Sequence, residues 1–216
     1  MRINLEIVGF SSVEDSEKCT ALNEKIIVTD MMLRRRLTRN ARIALYLCDV
    51  LGDTCAPVVI GNAYGEVVET YDILKVLRNG ETVSPTGFQN SVHNTPASYL
   101  SIVNHNKGYI TTVSDLANTS ASVLTVGAVK SLKYGSVLLI VTDAVDFEDL
   151  DEMNRCGITT KECGVALLVR HTSLSPTIVL ENKHYRGYSP SAWMMLEVIE
   201  KTTQLQGKTA IISVEI

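Results

Sequence analysis

The run Val137-Leu138-Leu139-Ile140-Val141 constrains this chain more than any other feature, because it places five apolar residues in succession with no polar position between them. Side chains of a strand point alternately to two faces, so a strand that is apolar throughout must be covered on both sides. Helices are the usual cover. Val- and Ile-rich runs that read as further strands lie at Ile3 to Gly9, Pro57 to Gly61, Tyr109 to Val113, Gly164 to His171, Thr177 to Leu180 and Thr209 to Glu215. Helical spacing fits between them at Leu33 to Leu51, Gly65 to Leu77, Thr95 to Asn104, Ser120 to Lys133 and Ser191 to Gln204. The broadly alternating order predicts an α/β fold with a mostly parallel mixed sheet, right-handed crossovers and helices on both faces. Two adjacent late strands are expected to admit an antiparallel pair. Asn79-Gly80, Ser84-Pro85, Lys107-Gly108 and Ser189-Pro190 read as breakers within a single domain spanning residues 1–216. Residues 11–30 carry the least pattern and read as a loop or edge excursion.

Composition removes several classes of function. A net charge of -4 lacks the basic excess with which nucleic-acid binders displace phosphate counterions. With 45% apolar and 20% charged residues the chain resembles an ordinary globule. No apolar run approaches the ~20 residues of a membrane-spanning helix, and the amino-terminal residues lack a signal-peptide pattern, so a cytoplasmic protein is expected. Five cysteines, Cys19, Cys48, Cys55, Cys156 and Cys163, form no Cys-x-x-Cys pair and read as free thiols, with Cys48 in the core. The four histidines have no metal-ligand spacing, so neither a metal nor a cofactor is expected.

Four groups of side chains invite a functional reading, each with a plainer one beside it. Arg34, Arg35 and Arg36 open a basic cluster that is either a solvated helix face or a docking point for an anionic partner. Tyr64, Val67, Val68, Tyr71 and Leu74 recur at helical spacing, as core residues do, and become a ligand wall only beside an apolar tunnel. Ser91 and His93 would share a face of an extended segment, yet nothing in the sequence supplies the acid that would orient the base. The acidic stretch from Asp143 to Glu152 reads as a solvated loop, and Trp193 among Met194, Met195 and Leu196 reads as core rather than interface.

From Ser84 to Ala117 the residues read SPTGFQNSVHNTPASYLSIVNHNKGYITTVSDLA. This stretch resembles, without a gap, the segment that leads to the nucleophile of elongating β-ketoacyl synthases. Gly61-Asn62-Ala63-Tyr64-Gly65 is similar to that family's glycine-rich strand end, and the helix from Leu33 to its first long helix. Lys133-Tyr134-Gly135 and Cys163 to Val169 extend the resemblance over about residues 1 to 170, the amino-terminal half of a thiolase-like fold. The family's nucleophilic cysteine would fall at Ala117 by ungapped alignment, or at Asn118 counting back from Tyr134-Gly135. Neither side chain can form a thioester. The family's carboxy-terminal half, with two histidines and a lysine, is expected to be missing.

Together these departures resemble the short chain-length-factor subunits of aryl polyene synthases. The resemblance implies no catalysis by this chain alone, pairing with a full-length β-ketoacyl-ACP synthase as a heterodimer, and work on substrates held by an acyl carrier protein. It also implies a tunnel wall at Tyr64, Val67, Val68 and Tyr71, a subunit interface at Asn94, Tyr99, Tyr109, Thr111 and Val113, and carrier-protein docking at Arg34, Arg35 and Arg36. The alternative reading is a stand-alone protein that binds an acyl chain or carrier protein without a synthase. The role of the last 45 residues is left open.

Overall fold

The computed structural model describes residues 1–14, 27–52, 56–145, 162–181 and 191–216. Six strands form one sheet: β1 (Arg2–Glu14), β2 (Val58–Gly61), β3 (Ile110–Val113), β4 (Ser136–Asp143), β5 (Cys163–Thr172) and β6 (Ile211–Glu215), in the spatial order β3-β2-β4-β5-β1-β6. The sheet pairs β2 with β3 and with β4 in parallel, whereas β4 with β5, β5 with β1 and β1 with β6 run antiparallel. The α/β class and the mixed sheet hold, but three of the five strand pairs are antiparallel, so the sheet is not mostly parallel. Helical crossovers join the strands of the parallel half, and β5 instead returns beside β4 in the opposite direction.

The continuous apolar run of β4 is divided between two cores. Val137, Leu139 and Val141 join one buried cluster, while Leu138 and Ile140 join another. α2 (Arg39–Leu51) and α5 (Thr95–Val103) supply Ile43, Ala44, Leu47, Ala97 and Leu100 to the second. On the opposite face, α6 (Thr119–Tyr134) and α7 (Trp193–Gln204) bring Val123, Leu124, Ala128, Met195 and Val198 against the first. α6 sits so close to the sheet that a Cβ on Gly127 would fall 2.3 Å from Leu139 Cδ2. The last residues therefore take up work in the main core: α7 packs beside α6, and β6 adds a strand at β1. Trp193 is buried, as a core role requires.

Four local readings need correction. The expected helix from Leu33 to Leu51 is two helices, α1 (Met31–Arg34) and α2, because the Thr38 hydroxyl accepts from Ala41 N and starts α2 afresh. Ser84-Pro85, read as a breaker, instead opens α4 (Pro85–Asn90): Ser84 caps Gly87 N and Pro85 occupies the first turn, where its missing N–H is no loss. Thr177 to Leu180 is no strand. Thr177 and Ile178 do donate to Ile211 O, but the Thr177 hydroxyl, donating to Thr209 O and accepting from Ile211 N, stands in for the backbone of a ladder. β1 meanwhile runs to Glu14, beyond the predicted end at Gly9. Cys19, Cys55, Cys156 and the acidic positions 146–152 lie outside the described residues. Cys48 and Cys163 are both buried thiols outside any disulfide.

Candidate functional site

Parallel strands send their carboxyl ends to one edge of a sheet, where loops and helix N-termini converge and where α/β proteins place their chemistry. Here β2, β3 and β4 meet at such an edge. β2 ends on Gly61, and no other residue fits: a Cβ there would lie 2.6 Å from Val123 Cγ2 and 2.7 Å from Thr119 Cγ2. The close approach lets the next residues reach across the edge. Asn62 N donates to Val113 O at 3.3 Å, and Ala63 N donates to Asp143 Oδ1 at 3.0 Å. Asp143 is therefore the buried last residue of β4, not part of a solvated loop, and its other oxygen accepts from the Ser191 hydroxyl.

After β3 the chain turns sharply through Leu116–Asn118 into α6. Leu116 stands at φ 45, a region that a branched side chain seldom occupies. The turn is held from within and without. Thr119 Oγ1 donates to Leu116 O at 2.8 Å and accepts from Asp115 N at 3.0 Å, and Ser122 Oγ donates to Asp115 Oδ2 at 2.6 Å. Trp193 Nε1 donates to Ala117 O at 2.9 Å, so the C-terminal helix pins the turn. Ala117 and Asn118 are both exposed, and Asn118 immediately precedes the first turn of α6.

A second buried network lies where α3 (Val67–Arg78) leaves the body of the protein. Glu66, the residue before α3, is only 5% exposed. Its Oε1 accepts from Thr38 Oγ1 at 2.7 Å and its Oε2 from Asn40 Nδ2 at 3.3 Å. Burial, with a smaller push from Glu69, raises its carboxyl to about 7 against the pull of those two hydrogen bonds. Asn40 Oδ1 is buried there without a partner among the described residues. Nearby, Asn62 Nδ2 donates to His93 O at 3.1 Å, leaving Asn62 Oδ1 as an acceptor only, so His93 Nδ1 must carry the proton of their 2.9 Å bond. The imidazole lies over Gly65 (φ 64), where a Cβ would sit 2.8 Å from the ring. Ser91 Oγ donates instead to Phe88 O. Ser91 and His93 thus serve separate bonds, and the serine has no base.

The remaining sequence candidates lie mainly on or beside α3, α5 and β3. Tyr64, Val67 and Val68 are half-buried and Tyr71 is exposed beneath Lys75, whose Nζ lies 4.6 Å from its ring centroid. No residue of α3 is buried, so its apolar stripe is not core. Asn94 and Thr111 line a groove of about 640 Å³ between α5 and β3, the edge strand of the sheet, and Val113 is half-buried at the far end of β3. Tyr99 does not face outward: it is 5% exposed, with its hydroxyl 2.9 Å from both Arg36 O and Asn90 Oδ1. Of the basic cluster, Arg34 Nη1 donates to Val28 O, Arg39 forms a bidentate pair with Glu162 and Arg42 Nε donates to Leu37 O; Arg35 and Arg36 are exposed. Glu66, Asn62, Asp143 and Trp193 were not foreseen as site residues, and only the Gly61-Asn62-Ala63 strand end hinted at them.

Among the described residues no helix is long and apolar enough to cross a membrane, and no cluster of histidine, cysteine and carboxylate side chains could hold a metal ion. A comparison with curated proteins finds no match. Solved structures do match. A ketosynthase (ApeO) in complex with its chain length factor (ApeC) from Xenorhabdus doucetiae aligns with a TM-score of 0.67 at 20% identity, over 89% of this chain and 92% of that one. The ishigamide ketosynthase/chain length factor aligns with a TM-score of 0.60 at 16% identity, over 80% of this chain and 63% of that one. A ketosynthase domain from Streptomyces albus oxazolomycin synthesis aligns at 0.53 and 12% identity, over 79% and 43%. At these identities the likeness establishes a shared thiolase-like fold. Residues 13–211 also match the family described as beta-ketoacyl synthase, N-terminal domain, and over that span the chain belongs to the β-ketoacyl synthase family.

Proposed function

We propose that this chain is a chain-length-factor-like subunit, without catalysis of its own, that pairs with a full-length β-ketoacyl-ACP synthase during elongation of a polyene or fatty-acid-like chain. The observation that carries the reading is the turn at Leu116–Asn118. In this reading it occupies the place of the family's nucleophile, at the carboxyl edge of the parallel strands and the start of a long helix, where a thiolate would be favoured. The side chains offered there are a methyl group and a carboxamide. A synthase partner would then hold the acyl group and make the bond. Two further observations support pairing: the outer side of β3 is an open edge beside a groove, and α3 and α4 leave Tyr71, Leu74, Leu77 and Phe88 in solvent.

In this reading Asn94, Tyr109, Thr111 and Val113 lie at the subunit interface, with Tyr99 bracing α5 from within. Tyr64, Val67, Val68 and Tyr71 form one wall of the acyl tunnel. Arg35 and Arg36 remain the basic residues available to an acyl carrier protein, and the pair works in the cytoplasm. Co-expression with the cognate synthase tests the assignment: a stable one-to-one complex is expected. A self-contained homodimer indifferent to any synthase would favour the stand-alone binding protein.

A further inference from the structure

At the opposite edge of the sheet from the candidate site, the amino-terminal ends of β2, β3 and β4, two tyrosines and three lysines come together. Tyr109, just before β3, and Tyr134, the last residue of α6, stack with ring centroids 5.7 Å apart and an interplanar angle of 28°. Lys130 Nζ lies 4.5 Å from the Tyr109 centroid, and Lys133 Nζ lies 5.0 Å from that of Tyr134. The ring faces hold both ammonium groups in place. Lys107 joins them from the turn before β3, where it lines the groove between α5 and β3. Among the described residues none of these three lysines has a carboxylate partner, although the chain as a whole is acidic.

We propose that this platform is the charged end of the subunit interface and receives carboxylates of the synthase subunit. The inference rests on the pairing proposed above and assigns the residues that steer it. Two features of the molecule favour the synthase as occupant. The platform is continuous through Lys107 and Gly108 with the groove beside the open β3 edge, so a partner lying along β3 reaches it. Lys130 and Lys133 are also each held over a ring, which suits fixed carboxylates on a folded partner better than the diffuse charge of a lipid surface. Charges at an interface rim act chiefly on the rate of encounter and on the choice of partner. The platform should therefore speed association with an acidic synthase surface and disfavour partners that offer it positive charge.

The test is the association rate of the full chain with its cognate synthase, measured by biolayer interferometry across ionic strength. Lys130→Glu with Lys133→Glu should slow association about tenfold at low salt and flatten its salt dependence, while the rates converge in high salt. The milder pair Lys130→Gln and Lys133→Gln gives an intermediate result and covers the case in which reversal impairs folding. Lys208→Glu, in the turn between α7 and β6, changes the net charge as much as the double glutamine variant does and should leave the rate near that of the wild type. Equal rates and salt slopes for wild type and both double variants would overturn the inference while leaving the pairing intact. So would an effect confined to self-association of this chain, or to its capture by vesicles of phosphatidylglycerol. If wild type binds no synthase at all, the pairing itself fails, and the inference with it.

Discussion

Leu139 in β4 and Leu74 in α3 are the same side chain in opposite situations. Leu139 is fully buried beneath α6, packed so closely that Gly127 has no room for a methyl group, whereas Leu74 is 58% exposed on a helix with no fully buried residue. Phe88 in α4 is more exposed still, at 66%. The contrast separates what this chain covers for itself from what it leaves open. Around β4 the sheet is closed on both faces by its own helices, including the C-terminal α7. Toward β3, α3 and α4 the strand edge is open and the apolar groups face water, which is the pattern of a surface awaiting a partner.

The most severe way to probe the contrast is to truncate the two leucines. Leu139→Ala should cost about 3 kcal/mol in urea denaturation, through lost burial and the cavity left behind. Leu74→Ser should stay within about 0.5 kcal/mol of wild type in the isolated chain and lower the yield of the synthase complex instead. If the second change destabilises the free chain as much as the first, α3 is held by the chain's own packing and the contrast fails.

Glu66 sharpens the boundary between the two regions, since it ties the residue just before α3 to Thr38 and Asn40. Its folded carboxyl titrates near 7, above the 4.5 of an unhindered glutamate, so the fold favours the protonated form. The stabilisation that this gives is complete below about pH 4.5 and is lost as the pH rises through 7. The loss is roughly 3 kcal/mol at most. Glu66→Gln should remove this component, making the variant less sensitive than wild type between about pH 4.5 and 7. Equal pH dependence in the two proteins would show that Glu66 is not buried as described.

Much of the closed region was legible in the sequence. The unbroken apolar run announced a doubly covered β4, and the helices of both layers followed from their spacing. What escaped was set by distant partners. Trp193 meets Ala117 across 76 positions, Ala63 meets Asp143 across 80, and Asn62 meets His93 across 31. No local pattern encodes such pairs. Only one antiparallel pair among the late strands was expected, and the full run of three escaped for a similar reason, because strand direction depends on how a connection returns and not on the strand's own residues. Thr38 and Ser84 were a different matter, since each carries an ordinary capping signal that the surrounding helical pattern or the following proline masked.

Trp193→Phe tests the tie between the C-terminal helix and the turn before α6. Loss of its bond to Ala117 O should cost about 1 kcal/mol in thermal or chemical unfolding. A change no larger than that of an exposed residue would detach α7 from the site. The smallest effect on the free chain belongs to Tyr71→Ala: stability should barely change, while products of the reconstituted pair become longer if Tyr71 borders the tunnel. An unchanged product length would reject that role.

Condensation assayed with the chain alone, the synthase alone and the two together addresses the central claim most directly, with mass spectrometry of each polypeptide for bound acyl groups. The expected result is acyl transfer and carbon–carbon bond formation only where the synthase is present, with no acyl adduct on this chain. An acyl group found on the isolated chain at Ala117–Asn118 or elsewhere, followed by condensation with a malonyl unit, would contradict it.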